Sequence, residues 1–332
     1  MYDLAKIRSV HVEATSMCNA RCPMCSRYTL DGYTQPSLVE THLDTELYKD
    51  LITSIPNLEL VYFSGVYGDP CMHPALLDLC QSANMIGVDV QVDSNAGYRK
   101  VDFWKELADL DVYVNFAVDG LEDTNKIYRK NVEWKTVISN MKAFAAAGGK
   151  GRWNFIVFKH NEHQVEEARR IAEDLGLDFR VKITQKFRRA KVWDVMINGS
   201  KAYEIKPPTD TKYRHSNISD KPYSISYPPL AKNLSDVEID CKALKNREIF
   251  LSYQGLVLPC CYLGSIHGQS PASQQLASLD LSPYDLSKHS LDEILVNLNQ
   301  ISDSWNNTID DGRLIMCAQT CAKSRQQHTL YE

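Results

Sequence analysis

Residues 9–25 read Ser-Val-His-Val-Glu-Ala-Thr-Ser-Met-Cys-Asn-Ala-Arg-Cys-Pro-Met-Cys, an apolar strand-like start that leads straight into three cysteines. Cys18, Cys22 and Cys25 have a C-x3-C-x2-C spacing. Three thiolates on one tight loop hold three corners of a cubane iron–sulfur cluster and leave its fourth iron open. A structural zinc site uses four protein ligands, and the loop has no fourth Cys or His. The spacing therefore favours a cluster, with a zinc knuckle or unrelated buried cysteines as alternatives.

The chain after this stretch alternates strand-like and helix-like segments up to residue 184. Apolar patterns predict strands at residues 10–14, 58–64, 88–92, 111–118, 153–158 and 179–183. Helical spacing predicts helices at residues 45–55, 74–85, 101–110, 133–147 and 163–175. Repeated β-α units imply a parallel sheet, either doubly wound or curled toward a barrel. Active sites in such folds lie at the carboxyl ends of the strands, where the cysteine loop is predicted to be.

Composition excludes several classes of protein. The 332 residues are 44% hydrophobic and 24% charged, as in a globular protein of one large or two smaller domains. A net charge of -5 gives no basic surface for nucleic acid or anionic lipid. No apolar run approaches the ~18 residues of a membrane helix, and the first residues do not read as a secretory signal. We therefore expect a cytoplasmic protein with neither a nucleic-acid nor a membrane partner.

Ten cysteines form two groups along the chain. They are too sparse for a disulfide scaffold, in which cysteine exceeds ~8–10% of residues, and in a reducing compartment clustered cysteines favour metal or redox sites. The first group is Cys18, Cys22, Cys25, Cys71 and Cys80, and the second is Cys241, Cys260, Cys261, Cys317 and Cys321. The distribution predicts two separate cysteine sites.

The cysteine loop at the end of a first β-strand resembles that of the radical S-adenosylmethionine (AdoMet) superfamily. The resemblance implies that Cys18, Cys22 and Cys25 hold a 4Fe-4S cluster whose open iron binds the amino and carboxylate groups of AdoMet. Reductive cleavage of AdoMet then gives methionine and a 5′-deoxyadenosyl radical, which abstracts hydrogen from a substrate. An electron donor such as flavodoxin or ferredoxin is implied as a partner.

Later strand ends carry further similarities to this superfamily. The run from Tyr67 to Pro70 resembles its Gly-Gly-Glu-Pro motif, with Tyr and Asp at two of the four positions. The third strand ends in Ser94-Asn95, similar to the Thr-Asn-Gly ending of the family. The AdoMet-binding residues that the resemblance implies are Met24, Tyr67, Gly68, Asp69, Pro70, Ser94, Asn95, Arg129 and Asn161.

The second cysteine group resembles the SPASM/twitch extension of radical AdoMet enzymes. The resemblance implies one fully ligated auxiliary 4Fe-4S cluster held by Cys241, Cys260, Cys317 and Cys321. A full SPASM domain uses about seven cysteines, so the five found here favour the shorter twitch form. A four-thiolate zinc site is the alternative for this region. Cys261 and Cys71 are left as candidate hydrogen donors, or as buried packing.

The predicted fold class is therefore α/β, a partial (β/α)6 barrel followed by a small α+β domain. Residues 1–185 form the radical SAM core, and residues 238–332 form the twitch-like domain with its tail. Residues 186–237, which begin with a basic cluster, are predicted to be a solvated connector or a loop that covers the active site.

Three functions fit these features. The main prediction is a radical SAM dehydrogenase or epimerase that abstracts hydrogen from a small, sugar-like substrate and uses the auxiliary cluster for electron transfer. The alternative within the superfamily is a maturase that modifies a peptide. A hypothesis from another class is a non-catalytic scaffold with two structural metal sites.

Overall fold

A computed structural model describes residues 1–226 and 234–323 of the chain. Part of the predicted connector, 227–233, and the predicted C-terminal tail, 324–332, lie outside the described residues. Across the two described ranges, no helix is both long enough and apolar enough to cross a bilayer.

Six parallel strands and their intervening helices form the first half of the chain, so the predicted β-α series is confirmed. The strands are β1 (Ser9–Val12), β2 (Leu60–Phe63), β3 (Asp89–Ser94), β4 (Tyr113–Ala117), β5 (Gly151–Ile156) and β6 (Asp178–Lys182). The helices are α1 (Thr45–Ser54), α2 (Leu76–Met85), α3 (Val101–Asp109), α4 (Asn125–Tyr128), α5 (Trp134–Ala146) and α6 (Val165–Asp174). The six strands are hydrogen-bonded in chain order, each parallel to the next, in an open sheet.

Local sequence signals account for where these helices begin and end. The Asp44 side chain accepts hydrogen bonds from the first backbone N–H groups of α1, which would otherwise have no partner. Helix α5 ends just before Gly148, which has φ +83°, a conformation that glycine adopts without steric cost. Gly148 is therefore the local signal that ends this helix.

The two faces of the sheet differ sharply in polarity. One face packs against the helices through large buried rings: Trp104 of α3 lies 5.7 Å from Phe116 of β4, and Phe116 lies 5.4 Å from Phe144 of α5. Burial of each such ring contributes about 1.5–3 kcal/mol to folding. Alternate residues point to the opposite, concave face because strand side chains alternate. That face is strongly polar, with His11 and Asn115 among its buried residues.

The predicted connector is folded against the core. It contains the hairpin β7 (Trp193–Ile197) and β8 (Ser200–Ile205), and Trp193 is 5% exposed. The hairpin also contacts the cysteine loop, because Gly199 N donates to Asp31 O at 2.9 Å. Within 186–237, the hairpin region therefore packs against the core, while most of residues 209–226 are exposed or half-buried.

The C-terminal part adds to the same sheet. Its strands are β9 (Glu248–Leu251) and β10 (Val257–Leu258), and its helices are α7 (Lys242–Lys245), α8 (Pro271–Ala277), α9 (Leu291–Asp303) and α10 (Ile315–Thr320). Strand β9 pairs parallel with β1, and β10 is its antiparallel neighbour, so the sheet has eight strands. The prediction of a separate small α+β unit missed this pairing, which joins both halves through backbone hydrogen bonds.

Candidate active site

The three cysteines of the first loop line one cavity of about 250 Å³ at the carboxyl edge of the sheet. The loop leaves β1, so its position follows from the strand that carries it. Most of the predicted AdoMet-binding residues come to the same cavity from the ends of the next strands: Tyr67, Gly68, Asp69, Pro70, Ser94, Asn95 and Arg129. Met24 lines the adjacent, larger cavity beside Cys25.

Gly68 lets the second strand end lie directly against the cysteine loop. A Cβ atom at this position would lie 1.9 Å from the carbonyl oxygen of Thr15, so only glycine fits. The next residue continues the contact, because Asp69 N donates to Met17 O at 2.9 Å. The motif therefore packs residues 68–69 against residues 15–17, immediately before the first cysteine.

The carboxylate of Asp69 organises the third strand end. It accepts hydrogen bonds from Ser94 Oγ at 2.9 Å, from Asn95 N at 2.9 Å and from Asn95 Nδ2 at 2.7 Å. Cys71 N donates to Oδ1, the oxygen that also accepts from Ser94, at 3.0 Å. Burial raises the pKa of Asp69, and these donors oppose that shift. Both oxygens of Asp69 are thus engaged, so Asp69 positions Ser94 and Asn95 at the cavity.

Arg129 is fixed by a fully buried acid. Its Nε donates to Asp119 Oδ2 at 2.6 Å, and one of its terminal nitrogens lies 3.6 Å from Cys22 Sγ. Asp119 is 0% exposed and also accepts from Ile156 N at 2.6 Å. Burial raises the pKa of Asp119, while the guanidinium of Arg129 acts in the opposite direction. The pair places a positive charge next to Cys22 and the cavity.

Asn161 and Cys71 are buried away from this cavity. Asn161 is fully buried, and its amide donates to Asp119 O and Ile156 O and accepts from Phe158 N. These bonds use the amide to shape the turn that carries Asp119, so the predicted contact with AdoMet is not supported. Cys71 is also fully buried and lies behind the Asp69 turn.

Cys261 lies elsewhere, toward the concave face of the sheet. Its neighbours include Glu13, Glu248 and Tyr62, and burial raises the pKa of its thiol to about 12. The thiol is therefore protonated near neutral pH, as a hydrogen-atom donor must be. Of the two candidate donors, Cys261 is the one beside the polar face.

Sequence reasoning missed the polar side chains of that concave face. Asp93 accepts from Tyr62 and Ser64 on one oxygen, while its other oxygen is buried without a partner in the described chain. Glu13 has the same arrangement: one oxygen accepts from Tyr67 N at 2.7 Å, and the other has no partner there. The strict alternation of polar and apolar residues in β3 was the available signal.

Glu13 should make the free energy of unfolding depend on pH. Burial raises its pKa from 4.5 to about 7, so the folded chain holds this proton more tightly than the unfolded chain does. The free energy of unfolding therefore falls as pH rises from about 4.5 through 7. Glu13→Gln keeps an acceptor for Tyr67 and removes the titration. From urea unfolding at pH 6.0 and 8.5, we expect the wild type to lose about 1–2 kcal/mol more than the variant. Equal losses would contradict the assignment.

The second cysteine group also converges. Cys241, Cys260, Cys317 and Cys321 line one small, wholly apolar cavity together with Trp305. The buried hydroxyl of Tyr2 lies against the Cys241 thiol, and the indole N–H of Trp305 lies against the Cys317 thiol. Four thiols around one cavity suit a tetrahedral zinc ion as well as a four-iron cluster.

Comparisons with known proteins agree with this geometry. Residues 12–175 match the family profile described as "Radical SAM superfamily". The chain is 23% identical over 273 residues to the tungsten-containing aldehyde ferredoxin oxidoreductase cofactor-modifying protein of Pyrococcus furiosus, which covers 76% of this chain and 71% of that protein. It is 24% identical over 186 residues to mycofactocin maturase MftC of Mycobacterium ulcerans, which covers 55% of this chain and 49% of the maturase.

Solved structures share the fold. Streptococcus suis SuiB bound to S-adenosylmethionine superposes with a TM-score of 0.51 at 15% identity, over 78% of this chain and 61% of SuiB. The enzyme anSMEcpe with bound AdoMet superposes with a TM-score of 0.55 at 12% identity, over 94% of this chain and 89% of that one. The superfamily binds AdoMet and a 4Fe-4S cluster. The family match, the fold and the cysteine loop together establish that residues 12–175 form a radical SAM domain.

Proposed function

We propose that this protein is a radical SAM maturase that modifies a peptide or a cofactor. The observation that carries the proposal is the shared cavity of Cys18, Cys22 and Cys25 with the strand-end residues around Asp69 and Arg129. Three thiol ligands in a site that also offers polar groups to an amino acid fit a cluster that binds AdoMet. When bound, cluster and AdoMet supply a 5′-deoxyadenosyl radical that abstracts hydrogen from a carbon atom.

The chain's own residues hold and orient these groups. The three thiolates bind three irons, and the backbone next to Gly68 accepts from the ammonium group of AdoMet. Asp69 keeps Ser94 and Asn95 in place at the ligand through the hydrogen bonds described above. Arg129 offers its remaining N–H groups to the carboxylate of AdoMet, a geometry that guanidinium groups suit.

The relatives favour a maturase over a dehydrogenase or an epimerase. The Pyrococcus furiosus relative is a cofactor-modifying protein, MftC is a maturase, and SuiB has a structure with a precursor peptide. Of the two reactions in the main prediction, an epimerase needs a hydrogen donor such as Cys261, and a dehydrogenase needs an electron acceptor. The first hydrogen abstraction by a maturase needs neither a thiol donor nor an auxiliary electron acceptor.

An auxiliary 4Fe-4S cluster is part of the proposal. The four converging cysteines support it, together with the Tyr2 hydroxyl beside Cys241 and the Trp305 indole beside Cys317. We expect Cys317→Ala/Cys321→Ala to lower the iron content from about eight to about four per chain, because half of the ligands of one cluster are removed. Iron and sulfide analysis after anaerobic reconstitution measures this. Zinc bound at this site in the wild-type protein would contradict the assignment of an auxiliary cluster, and it would not affect the assignment of the first cluster.

The function itself is tested by AdoMet cleavage. Reconstituted protein, dithionite and AdoMet should yield 5′-deoxyadenosine and methionine at equal rates. Repeating the reaction with deuterated candidate peptides or cofactor precursors should transfer deuterium to 5′-deoxyadenosine when the correct substrate is present. Iron-loaded protein that forms no 5′-deoxyadenosine would contradict the proposal and favour the metal-scaffold hypothesis.

A further inference from the structure

A cavity of about 800 Å³ lies beside the cysteine loop, and its wall carries several positively charged side chains. Cys25, Met24 and Tyr67 line one side of it, so it adjoins the candidate active site. The opposite walls come from the 186–226 segment and from residues 265–273 of the C-terminal part. All three parts of the chain therefore meet at this cavity.

The charged groups of the cavity wall are all positive. They are Lys186, Arg188, Arg189 and Lys221, and no aspartate or glutamate lines this cavity in the described part of the chain. Seven serines add hydroxyl groups to the wall. A neighbouring cavity of about 540 Å³ shares Lys186 and adds Arg180 and Lys182. This concentration of positive charge contrasts with the net charge of -5 for the whole chain.

The fold holds these cations close together by anchoring the chain between them. Phe187 and Ala190 are 2% and 1% exposed, so the basic residues around them are fixed at the surface of the cavity. Ser219 N donates to Phe187 O at 2.9 Å, and Lys191 N donates to Lys221 O at 2.8 Å. Arg189 donates to Ser226 O at 2.6 Å, which holds the chain at Ser226 against Arg189. Like charges held in this way repel one another, and a bound anion offsets that cost.

We propose that this cavity binds a phosphoryl or pyrophosphoryl group of the substrate, and thereby directs the rest of the substrate toward the cluster loop. This inference rests on the proposed function, because the bound molecule is a substrate only if the protein is such an enzyme. It narrows that function to a phosphorylated, cofactor-type molecule.

The wall chemistry favours phosphate over an acidic peptide. A phosphoryl group carries nearly two negative charges on a compact centre and accepts several hydrogen bonds, which matches guanidinium, ammonium and hydroxyl donors around one volume. An acidic peptide would also present backbone N–H groups that need acceptors. The wall is rich in donors, and Arg189 already occupies the carbonyl groups of Ser224 and Ser226.

The test is calorimetric titration of the reconstituted protein with inorganic pyrophosphate and, separately, with a hexaglutamate peptide at the same ionic strength. The variant Arg188→Gln/Lys221→Gln removes two cavity charges. A matched control, Lys135→Gln/Lys142→Gln, removes two exposed charges from α5. We expect pyrophosphate to bind the wild type and the control equally and the cavity variant at least tenfold more weakly, with no binding of hexaglutamate. Iron content and urea unfolding verify that each variant is folded.

Each other outcome overturns the inference. Hexaglutamate binding that depends on Arg188 and Lys221 would assign the cavity to an acidic peptide. Pyrophosphate that fails to bind, or that binds the cavity variant as well as the control, would exclude a phosphoryl site here. Failure of the proposed function is a separate result, because it appears as absence of wild-type AdoMet cleavage while pyrophosphate binding persists.

Discussion

Cys18→Ala/Cys22→Ala/Cys25→Ala should abolish formation of 5′-deoxyadenosine and lower the iron content from about eight to about four per chain. The three thiols line one cavity and are the thiol ligands that the cluster loop offers. Without them, AdoMet has no iron to bind and no source for the electron that cleaves it. The four cysteines of the proposed auxiliary site are unchanged, so that site should keep its four irons. Iron analysis and quantification of 5′-deoxyadenosine under dithionite measure both effects.

Cys80→Ala is the matched control for this prediction. Cys80 is a fully buried cysteine of α2 in the apolar core and lies away from both cysteine sites. It should keep about eight irons and wild-type cleavage, with a small loss of stability from the missing sulfur atom. If the triple variant retains cleavage, or if the control loses it, the assignment of the cluster to this loop is wrong.

The order of elements and the position of the cysteine loop could be predicted because they depend on local signals. Apolar runs, helical spacing and stop signals such as Gly148 are properties of short segments, and parallel strands place their carboxyl ends at one edge. The roles within the site were harder to predict. Asp69 and Asn161 are engaged by neighbours that are distant in sequence, such as Asn95 and Asp119. Only tertiary packing decides which polar atoms stay available.

The same limit applies to the C-terminal part. Two-residue strands such as β10 carry almost no periodic signal, and the pairing of β9 with β1 joins residues about 240 positions apart. The basic residues 186–191 were visible in the sequence, but their grouping in one cavity with Lys221 depends on how the β7–β8 hairpin and the segment after it fold back on the core. The sequence shows that these residues are charged, but only the fold shows that they line one cavity.

Arg129→Gln should be the most destabilising single substitution at the site. It would leave the fully buried carboxylate of Asp119 without its cation, which costs about 3–5 kcal/mol of unfolding free energy. Asp119→Asn/Arg129→Gln should recover most of this loss, because neither buried group is then charged. Lys105→Gln, which breaks an exposed ion pair with Asp102, is the control and should change stability by less than about 1 kcal/mol. Urea unfolding measures all four proteins.

AdoMet binding by the double variant separates the two roles of Arg129. If Arg129 serves the ligand as well as Asp119, the double variant is stable and still binds AdoMet at least tenfold more weakly than the wild type does. Equilibrium binding to the reconstituted protein measures this without requiring turnover. Wild-type affinity in the double variant would show that Arg129 acts only as the partner of Asp119. Because Nε is engaged by Asp119 and another nitrogen faces Cys22, the carboxylate of AdoMet has only part of the guanidinium left to bind. A loss of affinity in the double variant therefore measures how much the remaining N–H groups of Arg129 contribute to AdoMet binding.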